Sequence, residues 1–395
     1  MIDFCFDIIL SKNVPWPNGI SAEHTTVDTL WNERGTWSNR EPWIDYPRIL
    51  DYLRDEKVDY QCHLVEQAPL GSLYPININW FDHSFDYFTA ISEQALQMLQ
   101  QGFINLVFFY SEADNPLLIQ KRLFDLCKRH LVSPVRVHFV IANTAAELLP
   151  NFYYLDDDEI IFQRSQKNHQ RLLWNNNAKT KTMTLLSRIH KTWRAEFCAR
   201  YWHHQLHLSS FFSYHHVSFE PDQSPLRNQN HKLTQEFLQH CPFEADDLTD
   251  QQRNFYGTRV DEFFAQSYWN CVLETHINFE NNIPGVFISE KTWKPIANAQ
   301  PFVVLGCYQT LRHLQNQGYQ TFGAWIDEEY DNILDPTERF ETLWQTVRYI
   351  HNLNNQQLWD LHVAMKDTVV HNQQLYWQSK QGKLVDLFEQ ITNAR

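Results

Sequence analysis

Residues 287 to 306 read "FISEKTWKPIANAQPFVVLG". An apolar segment enters, two lysines, a glutamate and a proline follow, and the run "PFVVLG" leaves. The chain carries a formal net charge of -14, so Glu290, Lys291 and Lys294 standing this close together ask for a reason. Pro295 has no N–H and crowds the carbonyl four residues back. The sequence therefore predicts a helix that starts late, near Thr292 or Trp293, with Trp293, Ile296 and Ala297 as its anchoring face. Glu290 and Lys291 then fall on the strand-to-helix turn, where first-turn N–H groups favour phosphate. A carboxylate there can accept both hydroxyls of a ribose, and a lysine can neutralise a diphosphate. An exposed Glu290–Lys294 pair at i, i+4, a matter of a few tenths of a kcal/mol, accounts for the same residues with no ligand. The stretch alone leaves both readings open.

Working outward, strand-like and helix-like segments alternate on both sides. "FCFDIIL" (4–10), "INLVFFYSEAD" (104–114) and "VRVHFVIAN" (135–143) read as strands, with a helix at 116–131 between the last two. A polar, Asn/Gln-rich stretch, 162–181, interrupts the pattern and reads as an inter-domain connection. A second series follows: a strand at 182–187, a helix at 191–207, strands at 209–215 and 269–277, the opening stretch, and a short helix ending at Gly318. Three helical stretches, 338–352, 355–370 and 373–393, finish the chain. Strand–helix–strand order is that of parallel sheets. The expected fold is α/β: two Rossmann-like domains facing across a cleft, with a helical C-terminus. The expected boundaries are 1–165, a linker at 166–181, 182–350 and 351–395. Ligands of such folds sit at the carboxyl ends of the strands.

Composition narrows the function. The chain has 395 residues, too many for one ordinary domain, and is 43% apolar, 20% charged and 15% aromatic. It has 10 glycines and neither G-x-G-x-x-G nor a Walker loop. No apolar run approaches the ~20 residues of a membrane span. The N-terminus carries Asp3 and Asp7, not a basic signal-peptide region. Seven scattered cysteines without C-x-x-C fit reduced thiols and a cytoplasmic location.

The opening stretch, with "TLRHLQNQGYQTF" (310–322) and "DEEYDNILDPTERF" (327–340), resembles a group of glycosyltransferases from bacteria and bacteriophages. These share a pattern like S/T-E-K-T-F/W-K-P-I. More remotely, S-E-K resembles the T-E-K segment of fucosyltransferases of the GT-B fold, in which the Glu holds the ribose and the Lys faces the diphosphate. The resemblance covers roughly residues 182 to 352. It implies donor-binding roles for Ser289, Glu290, Lys291 and Lys294, for Glu274 (with Thr275) at the end of a strand, and for Arg188 and Arg194 in "LLSRIHKTWR". Ser187 stands where the pattern expects Asn. Independently, arginines just after a strand can grip a diphosphate bidentately.

Two metal patterns compete with that reading. Asp156 and Asp158 form a D-x-D, as in metal-dependent GT-A transferases. His203 and His207 are spaced i, i+4, as zinc ligands can be. A solvated turn and a polar helix face explain them as well. For the base that takes the acceptor proton, Glu112 comes first, followed by Asp114, Asp82, His83 and His24. The reading that results is a glycosyltransferase moving a sugar from a nucleotide-diphosphate sugar to a hydroxyl of a polysaccharide, protein or modified DNA base. It expects no resident cofactor and no metal. Its rivals are a non-catalytic nucleotide-sugar or glycan-binding protein of the same fold, and a GT-A-type enzyme using Asp156 and Asp158.

Overall fold

The computed structural model describes residues 1–6, 8–10, 29–31, 44–45, 48–78, 81–167, 169–217, 225–227, 230–245, 261–278 and 285–394. The candidate base His24 lies outside them. The chain is mixed α/β and divides into two compact units, Met1–Ile160 with Ser379–Arg395, and Ile161–Gln378.

The first unit is built on β1 (Ile2–Phe6), β2 (Ile8–Leu10), β3 (Thr29–Trp31), β4 (Ile44–Asp45), β5 (Tyr60–Leu64), β6 (Ser72–Ile78), β7 (Ile104–Tyr110), β8 (Val137–Ile141) and β9 (Phe152–Tyr154). Its helices are α1 (Ile49–Asp55), α2 (Glu93–Gln100), α3 (Pro116–Arg129) and α4 (Asp157–Ser165), in which the chain passes to the second unit. The main sheet runs β5-β1-β6-β7-β8-β9, parallel throughout, and β4 adds antiparallel to β6. β2 and β3 pair as a separate antiparallel ribbon. β7 is buried along its whole length because its "INLVFFY" is covered on both faces. β6 contains Pro75. Leu73 pairs with Phe4 of β1, and Asn77 and Ile78 pair with β4, so Pro75 falls between the two pairings along that edge. In α3, Asn115 caps the Leu117 N–H at 3.0 Å and Pro116 opens the helix. Ile119, Leu123, Leu126 and Cys127 face the core at helical spacing.

The second unit is built on β10 (Lys181–Ile189), β11 (Ser210–Val217), β12 (Ser267–Leu273) and β13 (Phe302–Leu305), all parallel in the order β11-β10-β12-β13. Its helices are α5 (Thr192–His203), α6 (His231–Gln239), α7 (Asp261–Gln266), α8 (Glu290–Ala297), α9 (Thr310–Asn316), α10 (Pro336–Asn352), α11 (Asn355–Ala364) and α12 (Lys366–Tyr376). The core is aromatic. Trp293 of α8 is fully buried, stacked on Tyr376 at 5.9 Å and tilted on Tyr319 at 5.5 Å. Burying such a ring contributes about 1.5–3 kcal/mol and pins α8 to α12 and to the loop after α9. Arg339 is buried too, and donates to the carbonyls of Gly306, Leu334, Ile333 and Ile277. Residues 169–180 contain no helix or strand and run against α11 and α12. Trp174 stacks on His362, and Gln373 Nε2 donates to the Leu172 carbonyl at 2.6 Å.

Three expectations need correction. The helix of the opening stretch begins at Glu290, not at Thr292 or Trp293, and holds Pro295 inside it. Proline removes only one backbone bond of so short a helix, and Ser289 caps the start. β12 ends at Leu273, short of the predicted 277. The C-terminal stretch forms four helices rather than three, the last being α13 (Gln381–Asn393). That helix belongs to the first unit. It buries Leu384, Leu387, Phe388 and Ile391, with Phe388 edge-on to Phe4 at 5.6 Å.

Candidate functional site

β10 precedes both of its neighbours in sequence, and they lie on opposite sides of it, β11 on one and β12 on the other. The chain leaves the carboxyl end of β10 toward β11 and that of β12 toward β13, in opposite directions, and ligands of open α/β sheets bind at such a point. The sequence delivers its charges there. β10 ends in Ser187, Arg188 and Ile189, with an irregular register against β11 at that point. Ser187 is 5% exposed, and among the described residues its hydroxyl has no hydrogen-bond partner. α5 follows at once, and its N-cap, Lys191, supplies no side-chain cap.

Arg194, in the first turn of α5, points inward. Its Nε donates to the Glu274 carbonyl at 3.1 Å and its Nη1 to the Ile189 carbonyl at 3.3 Å, with Nη2 also on the Glu274 carbonyl. The guanidinium thus ties the ends of β10 and β12 together. Burial lowers its pKa, while Glu274 and Glu290 pull the other way.

Glu274 follows β12 and is fully buried. Its carboxylate accepts from Thr292 Oγ1 at 2.5 Å, Ser289 Oγ at 2.6 Å, Thr275 N at 2.9 Å and Ser289 N at 3.1 Å. Ser289, 1% exposed, caps α8. The charged residues of α8 lie nearer the surface, with side chains 20% exposed for Glu290, 28% for Lys291 and 33% for Lys294. Lys291 Nζ is 3.2 Å from Glu290 Oε1, 3.2 Å from Thr275 Oγ1 and 3.3 Å from Ser289 Oγ; Lys294 Nζ is 3.7 Å from Glu290 Oε1. Burial acts to raise the Glu290 pKa. Lys291, Lys294 and Arg194 outweigh it and bring the carboxyl down to about 2, so Glu290 is a carboxylate at any physiological pH. His276 shows the same field from the other side. Burial, then Lys191, Arg194 and Lys291, push its pKa down to about 3 and keep it neutral.

Of the seven donor-site candidates, four present side chains that are not fully buried: Arg188, Glu290, Lys291 and Lys294. Arg194, Glu274 and Ser289 lie one layer behind, bonded to protein groups. Sequence reading missed Thr292 and His276. The Ser289-x-x-Thr292 spacing beside a lone acid at a strand end was the available signal for Thr292.

In the first unit, Glu112 and Asp114 are exposed on the loop after β7. Tyr110 Oη donates to Asp114 Oδ2 at 2.5 Å. Asp82 accepts from Ser84 N and Oγ, both at 2.7 Å, which lowers its pKa. A small recess is lined by Tyr52, Asn77, Tyr110, Ser111 and Asp157, among others. Asp156 accepts the Glu159 N–H at 2.9 Å at the start of α4, as a capping residue does. α5 ends at His203 and His207 lies in a 3-10 turn, so the two do not share a helix face as their spacing predicts. Among the described residues, no three His, Cys, Asp or Glu side chains converge as metal ligands would.

No family model matches the chain, and no curated protein matches it. Among solved structures it is similar to T4 phage BGT in complex with UDP and Mn2+, at 10% identity over 87% of this chain and 92% of that one, with a TM-score of 0.35.

Proposed function

We propose that the protein is a glycosyltransferase of the GT-B type, which moves a sugar from a nucleotide-diphosphate sugar to an acceptor hydroxyl. The observation that carries this reading is the charged turn at the divergent strand ends of the second unit. There an ionised carboxylate, Glu290, stands between two lysines at the start of a helix. Glu290 accepts the ribose hydroxyls. Lys291, with Arg188 and Lys294, neutralises the diphosphate, whose charge grows as the sugar–oxygen bond breaks. Glu112 serves as the base for the acceptor, which is a polysaccharide, a protein or a modified DNA base. Among the described residues no helix is long and apolar enough to cross a membrane.

A thermal-shift screen with UDP, GDP, CDP and dTDP sugars tests the reading. A ligand at 100 times its dissociation constant should add about 2.7 kcal/mol to stability. No shift with any of the four would end the nucleotide-sugar assignment. Binding without release of nucleoside diphosphate would favour the non-catalytic protein.

Glu290→Ala and Lys291→Ala are each expected to weaken donor binding by about 1.5–3 kcal/mol, since each removes a charge-assisted bond. Titration calorimetry measures it. Wild-type affinity in both variants would reduce the turn to a surface ion pair.

A further inference from the structure

We propose that Glu274 is the positioning residue of the charged turn: it fixes the start of α8 from behind, and so sets where Glu290 and Lys291 stand, without touching the ligand. The role in ligand binding rests on the nucleotide-sugar reading above; the role in holding α8 does not.

An ionised carboxylate has about four acceptor sites, and those of Glu274 meet four protein donors. One oxygen takes Ser289 N and Thr292 Oγ1. The other takes Ser289 Oγ and Thr275 N. The group is fully buried, so it has neither the sites nor the exposure to accept ribose hydroxyls as well. Its donors come from the exit of β12, the cap of α8 and the first turn of α8. One carboxylate therefore joins a strand end to a helix start. Arg194 holds the same residue by its carbonyl and ties it to β10.

The hold reaches the exposed charges through two atoms. Lys291 Nζ lies 3.2 Å from Thr275 Oγ1 and 3.3 Å from Ser289 Oγ. Both residues bond to the Glu274 carboxylate. A shift of that carboxylate moves the groups on which the Lys291 ammonium rests. Glu274→Gln keeps the shape but replaces one oxygen with an N–H₂ group. At least one serine or threonine donor then faces another donor.

The test is a double-mutant cycle. UDP and GDP are titrated into wild type, Glu274→Gln, Lys291→Ala and the double variant, with folding checked by circular dichroism. Glu274→Gln is expected to weaken binding by about tenfold or more, with the double variant within about twofold of the weaker single. Wild-type affinity in Glu274→Gln, or effects that multiply, would mean that Glu274 serves only the fold. Hydrogen exchange gives a readout that needs no ligand. In Glu274→Gln the Lys291 and Thr292 amides should exchange at least about tenfold faster while β13 amides hold their rates. Unchanged exchange overturns the proposal even if nucleotides bind. If wild type binds neither nucleotide while the exchange result holds, the nucleotide reading fails and the holding role stands. Should Glu274→Gln not fold, Thr292→Val removes a single donor; it should weaken binding about threefold with the same non-additivity, and multiplying effects or full affinity again count against the proposal.

Discussion

Glu159→Ala is expected to destabilise the first unit by about 3–5 kcal/mol, the usual penalty for leaving half of a buried ion pair behind. Glu159 is fully buried, with Lys380 Nζ at 2.6 Å and Lys383 Nζ at 2.7 Å. Lys380 is itself 5% exposed, whereas Lys383 reaches solvent. Burial acts to raise the Glu159 pKa, and Lys383 and Lys380 together hold it below its ordinary value. Without the carboxylate, the Lys380 ammonium has no counter-charge among these three groups, and burial already lowers its pKa. The chain has two units, so global melting need not be two-state. Native-state hydrogen exchange of the β7 amides reports on the first unit directly. Glu159→Leu combined with Lys380→Met should recover most of the loss, because a matched apolar pair is often as stable as the ion pair it replaces. Protection in Glu159→Ala equal to wild type would show that the pair contributes nothing.

Glu112→Gln should leave donor affinity intact while turnover falls about 10²–10⁴-fold, the range for losing a general base. β7 lies between β6 and β8, and the loop after its carboxyl end carries Glu112 into solvent. Asp114, on the same loop, is engaged by the Tyr110 hydroxyl. Glu112 comes first of the two because it stands nearer the end of that buried strand. The pH–rate profile of the variant should also lose its acidic limb. Full turnover in Glu112→Gln would pass the role to Asp82 or His83, of which Asp82 is already bonded to Ser84.

Some of this was legible in the residues. β7, α3 and β8 announce themselves because short, mostly apolar runs rich in aromatic and β-branched residues flank a segment of four-residue apolar spacing. The sequence predicts Arg188 and Glu290 beside strand ends; Arg188 lies in the last residues of β10, whereas residues 285–289, just before Glu290, form no strand. The start of α8 escapes the sequence because proline is a local signal. The groups that set the start, Glu274 and its partners Ser289 and Thr292, act across a gap in sequence. The inward turn of Arg194 was hidden for a related reason. A guanidinium next to a strand end suits a carbonyl as well as a phosphate, and only the position of Glu274 decides between them. The periodicity of α13 predicts an apolar face but says nothing about which core receives it.

That last helix sets a timetable for synthesis. Phe388 packs on Phe4 and Phe109, and Lys380 neutralises Glu159, so the first unit is unfinished until residues beyond 380 have left the ribosome. At ~5–20 residues per second, the stretch between 160 and 380 takes roughly 10–45 s to make. During that time Phe4 and Phe109 lack one of their neighbours and Glu159 lacks its lysines. The second unit, continuous from Ile161 to Gln378, has no such wait. The half of the molecule translated first is therefore the half completed last, and holding chaperones have their longest opportunity on it.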